Sequence, residues 1–251
     1  MIISHKHKLI FLHCRKAAGS SITVSLARDL GPFDIQIGGH RDAMTVGIRP
    51  NLKSFSRLAT LRGGGRFIAH LRRGTDYRKA FNQAVKESYR PIDEVPVHAL
   101  AKTLSVAFPR EWRSYFKFCV VRNPFERVLS DYFWKTQKLI HPPSFAEFLR
   151  AMKKGERDGR IIDERPDNWE IYTINDAIAV DKVIRYENLQ RELSELFSEL
   201  GVDWDGWLPR LKVSKNRENQ PLDIYSPDDV KLVQELFQKE IDTFGYSFHQ
   251  A

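Results

Sequence analysis

The sequence predicts an α/β fold in which one domain, residues 1–251, contains a central, mostly parallel sheet flanked by helices. Short apolar runs alternate with longer segments of helical periodicity, as in parallel strands that are joined by crossover helices. The chain of 251 residues, 42% of them hydrophobic, is also long enough to bury the core of one such domain. No internal repeat or low-complexity segment divides the sequence.

The first predicted strand spans residues 9–14, an apolar run typical of a buried strand in a parallel sheet. The N-terminal residues lead straight into this strand. From Ser21 onward, apolar residues at helical spacing predict the first helix: Ile22, Leu26 and Leu30. Residues 31–45 then predict a turn, a short strand and a loop.

The segment 46–95 is rich in arginine and surrounds three consecutive glycines at 63–65. It predicts a basic, mobile insertion with a helix near 77–88. Two interpretations stay open for this insertion, a solvated surface loop or a segment that faces the substrate.

The second half of the chain repeats the order of strand, turn and helix. A helix at 98–108 stops at Pro109, and a strand follows at 116–121. Asn-Pro at 123–124 then predicts a turn and a helix start, because proline is favoured in the first helical turn. The remaining predicted elements are a helix at 144–154, a strand at 180–185, a helix that Gly201 closes and a last helix at 227–244.

The charge of the chain favours an anionic ligand, since the net charge is +8 and the pI is near 9.4. A nucleotide, an acidic glycan and a nucleic acid all fit this charge. The sequence has no zinc-ligand spacing, no RRM or KH signature and no helix with a dense basic stripe. We therefore expect no nucleic-acid partner.

Two cysteines, Cys14 and Cys119, each lie at the end of an apolar run and predict buried thiols in a reducing compartment. The sequence contains no signal-peptide pattern and no apolar stretch near the roughly 20 residues of a membrane span. A cytoplasmic location is the resulting expectation.

A polar turn, HCRKAAGSSI, joins the first predicted strand to the first predicted helix. Such a turn directs backbone N–H groups and the positive end of the helix at one point, which favours an anion. Gly19 allows close approach of the backbone, Ser20 and Ser21 add hydroxyl donors, and Lys16 adds a mobile charge. The alternative is an ordinary capped helix beside a solvated lysine. The turn is not a Walker A loop, GxxxxGK[ST], because its lysine precedes the glycine.

A second polar turn, VVRNPFERVLS, follows the strand at 116–121. Arg122 ends this strand, and Ser130 lies eight residues further on, along one face of the following helix. Two such turns at neighbouring strand ends suit two separate phosphate groups of one nucleotide.

These two turns, in this order, resemble the sulfotransferases that use 3′-phosphoadenosine 5′-phosphosulfate (PAPS), in the branch related to membrane-bound carbohydrate sulfotransferases. FLHCRKAAGSSI is similar to the 5′-phosphosulfate loop of that branch, commonly FIHIPKTGGTS, and FCVVRNPFERVLSDY is similar to its 3′-phosphate motif, RxPxxRxxSxY. The segments PVHALAKTL, VIRYENL and LVQELFQKEIDTFGYSF also match this branch. Arg15 departs from the pattern, since the family usually has proline there.

The resemblance implies a P-loop-NTPase-like sulfotransferase fold and a set of cofactor contacts. Lys16 would stabilise the leaving oxygen between sulfate and the 5′-phosphate, while Arg122 and Ser130 would bind the 3′-phosphate. The other implied contacts to the 5′-phosphosulfate come from the first turn: Arg15, Ala17, Ala18, Gly19, Ser20 and Ser21. Lys215 and Arg217 would cover the cofactor or belong to a solvated loop.

The resemblance also implies a catalytic base, His98, with His40 as the alternative. Arg185 and Glu187 either face the cofactor or form a structural ion pair at a strand end.

The implied reaction is in-line transfer of sulfate from PAPS to a hydroxyl of a glycan or glycolipid, without a metal, leaving 3′-phosphoadenosine 5′-phosphate. Peripheral membrane contact is left open, and the oligomeric state is not predicted. Two other classes stay open as alternatives, a nucleotide- or RNA-binding module without catalysis and a small-molecule kinase.

Overall fold

The computed structural model describes residues 1–155, 167–211 and 222–248. Contacts within the chain divide it into two compact units. We call Met1–Val120 with Glu170–Leu211 the sheet unit, and Val121–Trp169 with Lys212–Ala251 the helical unit.

Seven short strands in the described ranges build one sheet and one separate hairpin. The five-stranded sheet has the order β3-β1-β2-β4-β7, and β5 pairs with β6 alone. The strands in chain order are β1 (Ile2–Ser4), β2 (Leu9–Leu12), β3 (Ile35–Gln36), β4 (Phe116–Val121), β5 (Thr173–Ile174), β6 (Ala177–Ile178) and β7 (Lys182–Arg185).

The sheet is mostly parallel, as predicted, with β1 reversed. β2 and β4 are parallel neighbours in which Leu12 lies opposite Cys119. β1 runs antiparallel to both β2 and β3, so β2, β3 and β4 share one direction. Their apolar side chains are buried because helices cover the sheet, as expected for an α/β fold.

The strand β1 and its hairpin were missed from the sequence, which had the N-terminus leading straight into β2. Asp34 holds this hairpin from a distant part of the chain. Its buried carboxylate accepts hydrogen bonds from Ser4 Oγ at 2.6 Å, from the His5 N–H at 2.7 Å and from the Gly31 N–H at 2.9 Å. Such a long-range anchor leaves no local sequence signal.

Helices make up most of the remaining structure. The helical unit contains α8, α9, α12 and α13 of the following set. The helices in chain order are α1 (Gly19–Ala27), α2 (His40–Thr45), α3 (Leu52–Leu58), α4 (Leu61–Arg72), α5 (Tyr77–Ser88), α6 (Ala101–Ala107), α7 (Pro109–Ser114), α8 (Pro124–Thr136), α9 (Phe145–Lys154), α10 (Trp169–Tyr172), α11 (Leu189–Glu199), α12 (Pro227–Leu236) and α13 (Gln238–Phe244).

The insertion at 46–95 contains three helices where the sequence predicted one. The predicted helix near 77–88 is confirmed as α5, while α3 and α4 were missed because three glycines suggested a loop. Gly63 is needed for close packing, since a Cβ there would lie 1.9 Å from the carbonyl oxygen of Arg57. Each helix has a side-chain N-cap, which supports its start: Asn51, Thr60 and Asp76.

The helical unit has its own apolar core beside α8. Asn123 caps α8 by accepting from the Phe125 N–H at 3.1 Å, and Pro124 follows, as the sequence predicted. The predicted helix at 227–244 is two helices, which divide at Phe237. The core side chains come from α8, α9 and α12, from the loop before α12 and from the junction of α12 with α13: Phe125, Val128, Leu129, Tyr132, Phe145, Phe148, Leu149, Met152, Tyr225, Val233 and Phe237.

The predicted buried thiols are confirmed, because Cys14 and Cys119 are buried and form no disulfide. Across the described residues, no helix has the length and apolar character that a bilayer span requires. The same residues form no cluster of three or more side chains suited to hold a metal ion.

Candidate functional site: the turn between β2 and α1

The turn after β2 has an unusual backbone. Lys16 and Ala18 adopt φ values of 55° and 57°, in the left-handed region that residues other than glycine rarely enter. Alternation of right- and left-handed residues makes backbone N–H groups converge into an anion-binding concavity. Strained residues of this kind are concentrated at functional sites, so this geometry points to a binding role for the turn.

The start of α1 needs an acceptor from outside the helix. Its N-cap residue is Ala18, whose methyl side chain cannot cap, and the first turn of α1 contains no acidic residue. The first N–H groups of a helix lack intrahelical partners and carry positive partial charge. Together with the ammonium group of Lys16 and the hydroxyls of Ser20 and Ser21, this suits an anion such as phosphate or sulfate.

Gly19, the first residue of α1, is required for packing and not for its backbone conformation, because its φ is not in the left-handed region. A Cβ at position 19 would lie 2.0 Å from Cδ2 of the buried His13 ring. His13 therefore contacts the backbone at the start of α1.

His98 lies beside the beginning of this turn, at the end of a 3-10 helix, Pro96–His98. Its Nδ1 hydrogen-bonds the carbonyl oxygen of His13 at 2.7 Å, and the two rings meet edge to face at 4.9 Å. Because a carbonyl oxygen only accepts, Nδ1 is the protonated nitrogen, and the neutral ring has its lone pair on Nε2. The structure thus brings the predicted base and the predicted 5′-phosphosulfate loop together.

The neutral form of His98 is favoured by its surroundings. Burial lowers the pKa of His98 well below its usual value, and the positive charge of Arg15 lowers it further. A neutral imidazole with its lone pair on Nε2 can accept a proton at neutral pH.

His40, the alternative base, lies in a different environment. Its ring is 1% exposed, and its Nε2 hydrogen-bonds Ser54 Oγ at 2.9 Å. Ser54 in turn donates to Asn51 Oδ1 at 2.8 Å, so Ser54 accepts from His40. Burial lowers the pKa of His40 to about 3. These contacts give His40 a structural role between α2 and α3.

The second predicted turn begins where β4 ends. Arg122 is buried, and its Nε and Nη2 donate to Glu126 Oε2 at 3.0 and 2.6 Å. Because a guanidinium carries five N–H donors, this pair is compatible with a bound phosphate. Ser130 lies half-buried on α8. In the sequence, only the spacing of four residues between Arg122 and Glu126 points to this pairing.

Arg127, the second arginine of the predicted 3′-phosphate motif, is a structural residue. It forms a buried ion pair with Glu240, with Nη2 to Oε2 at 3.0 Å, and its guanidinium lies over the Phe237 ring. The partner is 113 residues away, so the sequence could not reveal it.

The remaining predicted contacts are less informative. Arg185 and Glu187 are exposed at and just after the end of β7. Lys215 and Arg217 lie outside the described residues.

A comparison with protein families identifies the family of the chain. The model of a sulfotransferase family matches residues 1–247 and therefore includes segments of both units. The chain belongs to this sulfotransferase family, which is the family of the carbohydrate sulfotransferases. Neither the curated proteins nor the solved structures gave a match. Membership favours a sulfotransferase over the kinase and the non-catalytic binding module that the sequence left open.

Proposed function

We propose that this protein transfers a sulfuryl group from PAPS to a hydroxyl of a carbohydrate or glycoconjugate, by direct in-line displacement. The observation that carries the proposal is the contact between His98 and the carbonyl of His13, which joins a neutral base to an anion-binding turn in a chain of the sulfotransferase family. The donor would supply the sulfuryl group and a phosphate leaving group.

The turn after β2 would bind the 5′-phosphosulfate of the donor. The uncapped start of α1, the strained backbone at Lys16 and Ala18, and the absence of acidic residues in the first turn of α1 support this assignment. Arg15, Ala17, Gly19, Ser20 and Ser21 would contribute backbone or side-chain donors.

Lys16 would neutralise the leaving group. The acceptor oxygen forms a bond to sulfur while the bond between sulfur and the 5′-phosphate oxygen breaks, and the electron pair stays on that oxygen. An ammonium group positioned there lowers the barrier because the charge appears only as the bond breaks.

His98 would take the proton of the acceptor hydroxyl on Nε2. The hydrogen bond from Nδ1 to the His13 carbonyl supports this role, because it fixes the tautomer and orients the ring. His40 is disfavoured, since its Nε2 is engaged by Ser54 and its ring is buried.

Arg122 and Ser130 would bind the 3′-phosphate, which distinguishes PAPS from ATP. A guanidinium in a fixed orientation suits a phosphate, and Glu126 holds that of Arg122. Lys215 and Arg217 remain proposed contacts to the same cofactor, and a single domain of residues 1–251 remains our proposed organisation.

Labelled-sulfate transfer from PAPS to a panel of glycans and glycolipids tests the proposal. In the Lys16→Ala variant, we expect turnover to fall about 10²–10³-fold, the usual loss for one preorganised charge-stabilising donor. Lys8→Ala is a matched control, because Lys8 is exposed and has a similar left-handed backbone, φ 51°, outside the turn. Full turnover in Lys16→Ala, or no transfer by the wild-type protein, would overturn the proposal.

A further inference from the structure

The helices α3 and α4 present an unusually basic surface of the sheet unit. Residues 43–75 contain seven arginines and lysines and no aspartate or glutamate. This segment therefore carries a local excess of positive charge that nearby carboxylates of its own helices do not offset.

One side of α4 packs against α5 and determines which side faces solvent. The rings of Phe67 and Phe81 are arranged edge to face, with their centroids 6.5 Å apart. Arg66 Nη1 donates to the Glu87 carbonyl at 2.8 Å, and His70 Nε2 lies 3.1 Å from Glu87 Oε1. These contacts fix the rotation of α4 about its axis. The opposite side is consequently turned outward.

The outward side of α4 is both apolar and basic. Leu61 is 97% exposed, Ile68 49% and Leu71 39%, which is a large aliphatic surface for a helix of 12 residues. The side chains of Arg62, Arg72 and Arg73 are exposed along the same side, and among the described residues no carboxylate pairs with them. We call these six side chains the outward face of α4.

We propose that the outward face of α4 docks this protein on an anionic lipid bilayer. A basic amphipathic helix that lies in the bilayer interface buries its aliphatic side chains at the acyl boundary and places its arginines among anionic headgroups. On α3, the exposed Leu52 and Phe55 extend the apolar surface of the same segment.

A bilayer explains the aliphatic side chains, which other polyanions do not. RNA or an acidic glycan would pair with the arginines, but Leu61 and Ile68 would remain in water, because neither partner offers an aliphatic phase. RNA binding also relies on aromatic side chains that stack on bases, and α4 exposes none on this face. The charge and the aliphatic surface together select the lipid surface.

Co-sedimentation of the whole protein with vesicles tests this proposal. We expect binding to phosphatidylcholine vesicles that contain phosphatidylserine, weak binding to pure phosphatidylcholine, and release at high salt. Because each arginine at an anionic surface contributes about fivefold, the triple variant Arg62→Ala/Arg72→Ala/Arg73→Ala should bind about 100-fold more weakly. Leu61→Gln/Ile68→Gln should lose at least about tenfold.

Two variants, one on α6 and one on α7, serve as controls for exposed apolar and basic side chains. Val106→Gln on α6 and Arg113→Ala on α7 replace exposed residues away from α4 and should bind as the wild-type protein does. Circular dichroism establishes that every variant folds. Equal binding by the α4 variants and the wild type would overturn the proposal. So would wild-type protein that binds heparin or single-stranded RNA but does not sediment with anionic vesicles.

Discussion

At the scale of single residues, the contact between His98 and His13 has the clearest chemical meaning. It fixes a tautomer, and the pKa of His98 lies well below its usual value because the surrounding protein desolvates the half-buried ring and Arg15 is positively charged. The neutral imidazole is therefore the favoured form at pH 7.

The pH dependence of turnover follows from the lowered pKa of His98. Protonation removes the base, so we expect turnover to fall only below the usual histidine pKa of about 6.5. In Arg15→Gln, the loss of positive charge should raise the pKa of His98 and move this acid limb to higher pH. His98→Ala should abolish transfer, and any residual activity should show no acid limb. The variant should keep its affinity for 3′-phosphoadenosine 5′-phosphate.

Arg113→Gln, on an exposed part of α7, is the control and should leave the profile unchanged. An acid limb at the same pH in Arg15→Gln and the wild type would contradict the assignment, as would full activity of His98→Ala.

At the scale of helices, the pair of Arg127 on α8 and Glu240 on α13 links two elements of the helical unit. Both side chains are at most 4% exposed. Removal of one member deprives a buried charge of its ion-pair partner, and breaking a buried pair in this way typically costs about 3–5 kcal/mol. We expect this loss of unfolding free energy for Glu240→Gln in urea denaturation.

The double variant Arg127→Met/Glu240→Leu should recover most of that loss, because an apolar pair of similar volume replaces both charges. Lys153→Met provides the control, since Lys153 pairs with Glu235 at 2.7 Å on the surface and such pairs contribute less than about 1 kcal/mol. If the double variant lost as much unfolding free energy as Arg127→Met and Glu240→Leu lose together, the broken ion pair would not explain the instability of Glu240→Gln.

Local signals predicted several elements, misled us at the glycines of α4, and could not reveal elements that depend on long-range contacts. The start of α8 was readable from Asn123 and Pro124, and the helix expected near 77–88 is α5. The β1 hairpin depends on Asp34, about 30 residues away, and was not readable. Likewise, the two polar turns and His98 were found from motifs, but the hydrogen bond between His98 and His13 joins positions 85 residues apart.

At the scale of the whole molecule, the two units are interleaved in sequence, because the chain passes between them after residues 120, 169 and 211. Neither unit is a continuous segment, and one family match spans both. That residues 1–251 form one domain therefore stays a prediction.

Thermal unfolding with nucleotides addresses this prediction. We expect a single transition that 3′-phosphoadenosine 5′-phosphate shifts upward, equivalent to about 2.7 kcal/mol at 100 times its Kd, while ATP with Mg²⁺ has little effect. In Arg122→Ala, this shift should shrink, whereas the smaller shift with adenosine 5′-phosphosulfate, which lacks the 3′-phosphate, should persist. Two separate transitions would argue against one domain, and equal losses for both nucleotides would argue against a 3′-phosphate contact.

The backbone of the turn after β2 makes thermal stability and turnover respond in opposite directions to a change at position 16. Lys16 occupies a conformation that costs a residue other than glycine about 1–2 kcal/mol. Replacing Lys16 with glycine relieves this strain, and the greater conformational entropy of glycine in the unfolded chain offsets part of the gain in stability. A laboratory evolution experiment that rewards only survival of heating would enrich this glycine. Its surviving clones would be durable and would lack the ammonium group that we assign to the leaving oxygen.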